Sequence, residues 1–202
     1  MKLLEDIVIF GCGGHSRSVT DIILMENPEA KLLYVDENAR DNETLYGFKV
    51  LKEWPILDQP CFVAIGDNIK RKAKLLEWSG KNLVSVVSTT ARIGLQARIA
   101  RGCFVGNFCH IGPEVVIGEG SIINTASVIE HEVQIGNYCH IGPNAAISGR
   151  CKLGELVFVG VGASIKDHVS ICSEVVIGAG VTIVKDITEA GTYVGCPAKK
   201  NN

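Results

Sequence analysis

His131 is followed directly by Glu132, and His140 lies nine residues further on. Imidazole has an unperturbed pKa of about 6.5, so near neutral pH it can take up and return a proton. A carboxylate on its other nitrogen would fix the tautomer and stabilise the imidazolium. As bare neighbours, the two also fit a solvated polar pair at a chain corner. His110 shares the phase of His140 and the following Ile-Gly-Pro, but Arg101 stands nine residues before it where an acidic partner would be sought. It reads as structural or solvated, and His168 as structural. A second group lies near the start, Gly11-x-Gly13-Gly14-His15. A glycine turn after a strand can bring backbone N–H groups and a histidine to a phosphate or a base. The third glycine of a dinucleotide fingerprint would fall at Ser16, which argues against a full NAD site. Asp36, Gly66, Asp67 and Asn68 follow later strands, where a carboxylate or amide can reach a ribose or serve as a turn or cap. Lys70, Arg71, Lys72 and Lys74 read as a solvated helix face or a phosphate grip.

The elements that must position the histidines follow an unusual period. Every sixth residue from Val87 is Val, Ile or Leu, through Ile111, Ile129 and Ile147 to Ile183, and the frame never slips. The position four residues after each is small or Val, as in Cys103, Cys109, Ser127 and Ala145. A helix recurs near 3.6 and a strand near 2, so neither has this period. A parallel β-solenoid does, with one short strand and one corner per hexapeptide. Its branched residues point inward. The glycines that often follow them, such as Gly112 and Gly136, are expected at corner backbone angles. His131 and His140 fall outside the inward phase and belong on the outer surface, about half a coil apart. Two sides of one rod do not face each other closely, so a shared cleft implies a neighbouring rod.

The first half has a different grammar. Strands are expected at 7–10, 31–35 and 61–65, with helices at about 16–25 and 69–78, the second capped by Asn68. Strand, glycine turn, helix, strand, acid is the order of a parallel sheet with a nucleotide crevice at its carboxyl edge. The chain therefore divides into an α/β N-terminal domain at 1–84, a small Rossmann-like parallel sheet, and a parallel β-helix at 85–202 with a C-terminal cap.

Composition narrows the class. A formal net charge of −2 offers no global field for DNA or anionic lipid. Glu5 and Asp6 interrupt the apolar start, so no secretory signal is expected. The eight cysteines form no C-x-x-C, and four share one phase of the repeat, which suits small packed side chains rather than ligands or disulfides. A reducing, cytoplasmic setting is expected.

Three stretches carry a resemblance: I-F-G-C-G-G-H at 9–15, N-T-A-S-V-I-E-H-E-V-Q-I-G-N-Y-C-H-I at 124–141, and V-G-C-P-A at 194–198. With them the whole chain resembles the NeuD/PglD-type sugar O/N-acyltransferases, in particular those that acetylate a nucleotide-linked 4-amino sugar in bacillosamine synthesis. The resemblance implies a left-handed β-helix, a homotrimer, and acetyl-CoA in the cleft between subunits. The N-terminal domain, with Gly11, Gly13, Gly14, His15, Asp36, Gly66, Asp67 and Asn68, would hold a UDP-linked amino sugar. His131 matches the family's general base, Glu132 the acid that orients it, and Asn124 a residue of the sugar pocket. His140, Ala163, Gly195 and Pro197 match positions beside acetyl-CoA, and the Gly149 N–H matches the donor facing the thioester oxygen. No Ser or Cys nucleophile is required, so the transfer would be direct.

Other classes stay open at this level. The same base could deprotonate a hydroxyl, giving an O-acetyltransferase for a sialic acid or another surface-polysaccharide sugar. Zinc-holding trimeric β-helices of the carbonic anhydrase type use closely spaced histidines, but no H-x4-H occurs and no metal is expected. A non-catalytic nucleotide-sugar binder or scaffold is the third class.

Overall fold

A computed structural model describes residues 6–54, 59–79 and 81–200. Glu5, which bears on the signal-peptide reading, lies outside them. The chain forms two compact units, Met1–Val86 and Val87–Asn202.

The first unit is a parallel sheet with two helices. Its elements are β1 (Asp6–Phe10), α1 (Gly14–Glu26), β2 (Lys31–Val35), β3 (Thr44–Leu45), β4 (Phe48–Leu51), β5 (Cys61–Val63) and α2 (Asn68–Glu77). The sheet order is β3-β4-β2-β1-β5. β2 and β5 flank β1 in parallel, and β4 runs parallel to β2. The central strands are apolar runs because both faces are covered: Ile7 to Phe10 and Cys61 to Val63 are all buried. β3 and β4 form an antiparallel hairpin that periodicity did not reveal. They are too short to show alternation, and Tyr46 and Gly47 turn the chain at positive φ. The second helix also corrects an expectation. Its N-cap is Asp67, whose carboxylate accepts the Lys70 N–H at 2.9 Å, whereas the Asn68 Oδ1 accepts the Arg71 Nη2 at 2.8 Å.

The second unit is the expected β-solenoid. Strands of two or three residues recur at every hexapeptide from Arg92–Ile93 to Thr182–Ile183. Together with Val86–Val87, Gly191–Val194 and Lys199–Lys200 they make three faces of eight, six and five strands, parallel except where Lys199–Lys200 pairs. Residues one coil apart pair in register, as Ile123 with Ile141, Ile111 with Ile129 and Ile135 with Leu153. From Val105 to Ile183 every inward branched residue is buried, which makes one continuous core. Each such Ile or Val contributes roughly 1.5–3 kcal/mol on burial.

Two positional details depart from expectation. The glycine after the branched residue does not supply the corner angle. A Cβ on Gly136 would lie 2.6 Å from the Gly154 backbone, so glycine there allows close approach between coils. Positive φ falls two residues later, at Glu114, Glu132 and Arg150 (φ 61° each) and His168 (62°). The phase-sharing cysteines are buried thiols. The Cys103, Cys109, Cys139 and Cys151 sulfurs reach carbonyls of Gly118, Asn124, Gly154 and Lys166 at 3.1, 3.0, 3.1 and 3.0 Å. Ile187 bridges to Ile171 beyond the last regular coil. Gly191–Val194 then joins the eight-stranded face, and Lys199–Lys200 folds back on it antiparallel.

Candidate active site

His131 sits at the corner after strand Val128–Ile129. Ile129 anchors that strand in the core, and the left-handed turn at Glu132 brings both side chains outward. His131 Nδ1 lies 2.9 Å from Glu132 Oε2. The equivalent corner one coil on is Gly149-Arg150. There the Arg150 N–H donates to the His131 carbonyl at 3.0 Å, and Arg150 Nη2 lies 2.9 Å from the same Glu132 Oε2. The hydrogen bond from His131, and then that from Arg150, holds the Glu132 carboxyl below its usual range. An ionised carboxylate only accepts, so the Nδ1 of His131 carries the proton between them, and in the neutral ring the lone pair is on Nε2. The His131 side chain is 45% exposed, so that lone pair is within reach of a substrate.

Gly149 lies against the ring. A Cβ there would be 2.6 Å from both Cε1 and Nε2 of His131. Only glycine leaves room for the imidazole this close to the backbone. The Gly149 carbonyl accepts the His168 N–H at 3.0 Å, while its own N–H meets no acceptor among the described residues.

Asn124 and His140 are also brought together. Asn124 Oδ1 accepts the Thr125 N–H at 2.8 Å, which fixes the amide orientation. Its Nδ2 then donates to His140 Nε2 at 3.2 Å, so the proton of that ring is on Nδ1. The ring meets Phe158 edge-on, with centroids 5.1 Å apart. His140 lies on strand His140–Ile141 of the eight-stranded face. His131 stands at the opposite corner of the triangular coil, between the other two faces, so within one solenoid the two histidines do not meet. Ala163 has its methyl in the core, its N–H on the Gly160 carbonyl and its carbonyl on the Ala146 N–H. Gly195 (φ 93°) and Pro197, which follows a cis peptide bond, turn the exposed C-terminal hairpin.

The first unit gathers its candidates at the carboxyl ends of β1, β2 and β5. Gly11 has φ 103° and passes so close to Ala64 that a Cβ would lie 2.9 Å from its carbonyl oxygen. Gly13 is the N-cap of α1, Gly14 its first residue, and the ring of His15 faces Phe62 at 6.4 Å. Asp36 ties two loops together, accepting the Cys12 N–H through Oδ2 and the Asn38 N–H through Oδ1, both at 2.9 Å. Gly66 gives its carbonyl to Arg71, which is fully buried and also bonds Ile65 and Asn68. Of the basic run, Arg71 is thus internal. Lys74 pairs with Glu37 and Glu77 and lies over the Phe10 ring at 4.4 Å.

Sequence reasoning missed Arg150. The signal was present: it stands one coil after Glu132, and in this fold that spacing means contact. Among the described residues no cluster of three or more His, Cys, Asp or Glu is arranged to hold a metal ion, and no helix is long and apolar enough to cross a membrane.

Residues 6–77 match the family model of the PglD N-terminal domain, and residues 96–131 that of the bacterial transferase hexapeptide, six repeats. A crystal structure of a histidine-to-asparagine variant of perosamine N-acetyltransferase from Caulobacter crescentus, in complex with CoA and GDP-perosamine, is 30% identical, with a TM-score of 0.87 over 97% of this chain and 96% of that one. The acetyltransferase domain of PglB from Neisseria gonorrhoeae is 26% identical, with a TM-score of 0.91 over 98% of this chain and 100% of that one. UDP-3-O-acylglucosamine N-acyltransferase from Bordetella avium is 34% identical over 46% of this chain. The chain spans only 29% of that relative's length, and 28%, 31% and 31% of three other curated relatives that it matches.

Proposed function

This chain is a member of the NeuD/PglD-type sugar O/N-acyltransferases, and from that premise we propose that it transfers an acetyl group from acetyl-CoA to the amine of a nucleotide-linked amino sugar. The substrate proposed is a UDP-linked 4-amino dideoxy sugar. The observation that carries the reading is the corner at His131: a base oriented through Nδ1 by Glu132 at 2.9 Å, lying on a glycine whose N–H has no acceptor among the described residues.

The chemistry follows from those atoms. The neutral amine attacks the thioester carbonyl carbon, forming the C–N bond and placing negative charge on the oxygen. The Gly149 N–H donates to that oxygen, a contribution of roughly 3 kcal/mol in acyl transfers. His131 Nε2 takes the proton from the attacking nitrogen, and Glu132 stabilises the imidazolium. The C–S bond then breaks, and the imidazolium proton goes to the departing thiolate. No acyl-enzyme forms. Asn124 would line the sugar pocket and His140 would lie beside the cosubstrate. Because His131 and His140 stand on opposite sides of one solenoid, a shared site takes them from two copies, which supports an oligomer, and the family resemblance makes that oligomer a homotrimer. The N-terminal unit would hold the nucleotide at the carboxyl edge of its sheet.

The Caulobacter enzyme, whose structure holds CoA and GDP-perosamine, supports the substrate class while leaving the base of the nucleotide to experiment. The test is release of CoA thiol from acetyl-CoA with a panel of UDP- and GDP-linked 4-amino sugars and their 4-hydroxy counterparts. Turnover with an amino sugar, and a fall of about 10²- to 10⁴-fold in His131→Ala, is expected. Full turnover by that variant would remove the proposed base. Turnover only with hydroxy sugars would make the enzyme an O-acetyltransferase.

A further inference from the structure

Arg150 takes no part in the proton transfer just described, yet it is built into the same corner. Its backbone N–H holds the His131 carbonyl at 3.0 Å, and its guanidinium holds Glu132 Oε2 at 2.9 Å. That oxygen is the one His131 Nδ1 uses, also at 2.9 Å. One carboxylate oxygen is therefore shared between a permanent cation and an imidazole that must be able to lose and gain charge.

We infer that Arg150 is a positioning residue that pins Glu132 in place and takes up part of its negative charge, so that the imidazole is oriented by the carboxylate without being held in its protonated form. The inference rests on the reading of His131 as the base. Two opposing demands meet at this corner. A bare carboxylate 2.9 Å from Nδ1 favours the imidazolium, which has no lone pair to offer. A fixed guanidinium on the same oxygen opposes that effect while leaving the hydrogen bond in place. The left-handed turn sets the arrangement, because Glu132 and Arg150 occupy the same turn position on successive coils with φ 61° each.

Glu130 and Glu132 are on the His131 turn itself, and Glu114 is on the turn below, where the Pro113 carbonyl accepts the Glu132 N–H. Arg150 is on the turn above, and Lys166, Asp167 and His168 lie one coil further. His168 faces Asp167 at 3.9 Å. Among the described residues, the ion pairs on the His131 turn are those of Glu132 with His131 and with Arg150.

The test follows the His131 ring by its NMR Cε1–H resonance, assigned by its loss in His131→Ala, across a pH titration of the full-length protein. In Arg150→Met the midpoint should rise by about half to one pH unit, the size expected on losing one nearby charge in a wet site. The acid limb of the kcat/KM profile should rise with it, while the alkaline plateau stays within a few-fold. Arg150→Lys should restore most of both, and Arg150→Gln should repeat the effect of Met if that variant folds poorly. An unmoved or lowered midpoint in Met and Gln would overturn the inference, as would a uniform loss of activity at every pH. The parallel activity of His131→Ala separates the two readings. If it retains turnover, the base is misassigned while the ring titration still decides what Arg150 does. If it is inactive and the midpoint does not move, Arg150 alone loses its role.

Discussion

The contact between Gly149 and the His131 ring is the most restrictive at the residue scale. Adding a single methyl there would place carbon 2.6 Å from Nε2, so the ring must swing away from the corner. Gly149→Ala should lower kcat by roughly 10²-fold, the cost of misplacing a reacting group by about 1 Å, with an unchanged melting temperature as the control. Glu132 makes a pH prediction. Its folded pKa is depressed by His131 and Arg150, so its contribution to stability is complete above the ordinary glutamate range and is lost as pH falls through the lower folded value. The difference in melting temperature between the wild type and Glu132→Gln should therefore persist at pH 5 and shrink below about pH 4. The pairing of His131 with Glu132 was legible in the sequence because the two are adjacent. Arg150 was not, because its nearness to Glu132 exists only once the length of a coil is translated into space.

At the scale of the element, the short turn between β5 and α2 depends on a buried cation. Arg71 is fully buried and bonds the Ile65 and Gly66 carbonyls at 3.0 Å each, whereas Asp67 caps the helix at the surface. Chemical denaturation should rank them. Arg71→Met should cost about 3 kcal/mol through unsatisfied buried partners, and Asp67→Ala about 1 kcal/mol through loss of a cap. Equal costs would mean that the buried bonds contribute nothing beyond the cap. The basic run illustrates a limit of sequence reading, since Lys70-Arg71-Lys72 shows one charge type and conceals that its middle member points inward. The solenoid strands were fully legible because a six-residue period leaves no competing fold. The role of the glycines was not, since a pattern of residue types cannot tell a corner angle from close approach.

For the whole molecule, the change of period places a boundary at 84/85 in the sequence, and the compact units divide between Val86 and Val87. Assembly is proposed from histidines that one solenoid cannot bring together. Light scattering should give about three times the 21.7 kDa of a single chain. If His131 and His140 meet only across copies, His131→Ala and His140→Ala proteins, denatured together and refolded at equal amounts, should recover about a quarter of the sites, each drawing one intact histidine from either variant. No recovery would place each site within one chain. The thiols buried along the solenoid axis have one more consequence. Cys103 and Cys109 fall within one coil's length of each other, Cys139 and Cys151 within another further along, and all four are sealed from water, with Cys109 and Cys151 pushed further from thiolate by that burial. Cys196 is exposed. A pulse of alkylating reagent during slow denaturation, read by peptide mass spectrometry, should mark Cys196 at once and each inner thiol only when its own coil opens, so that the molecule carries a built-in record of the order in which it unwinds.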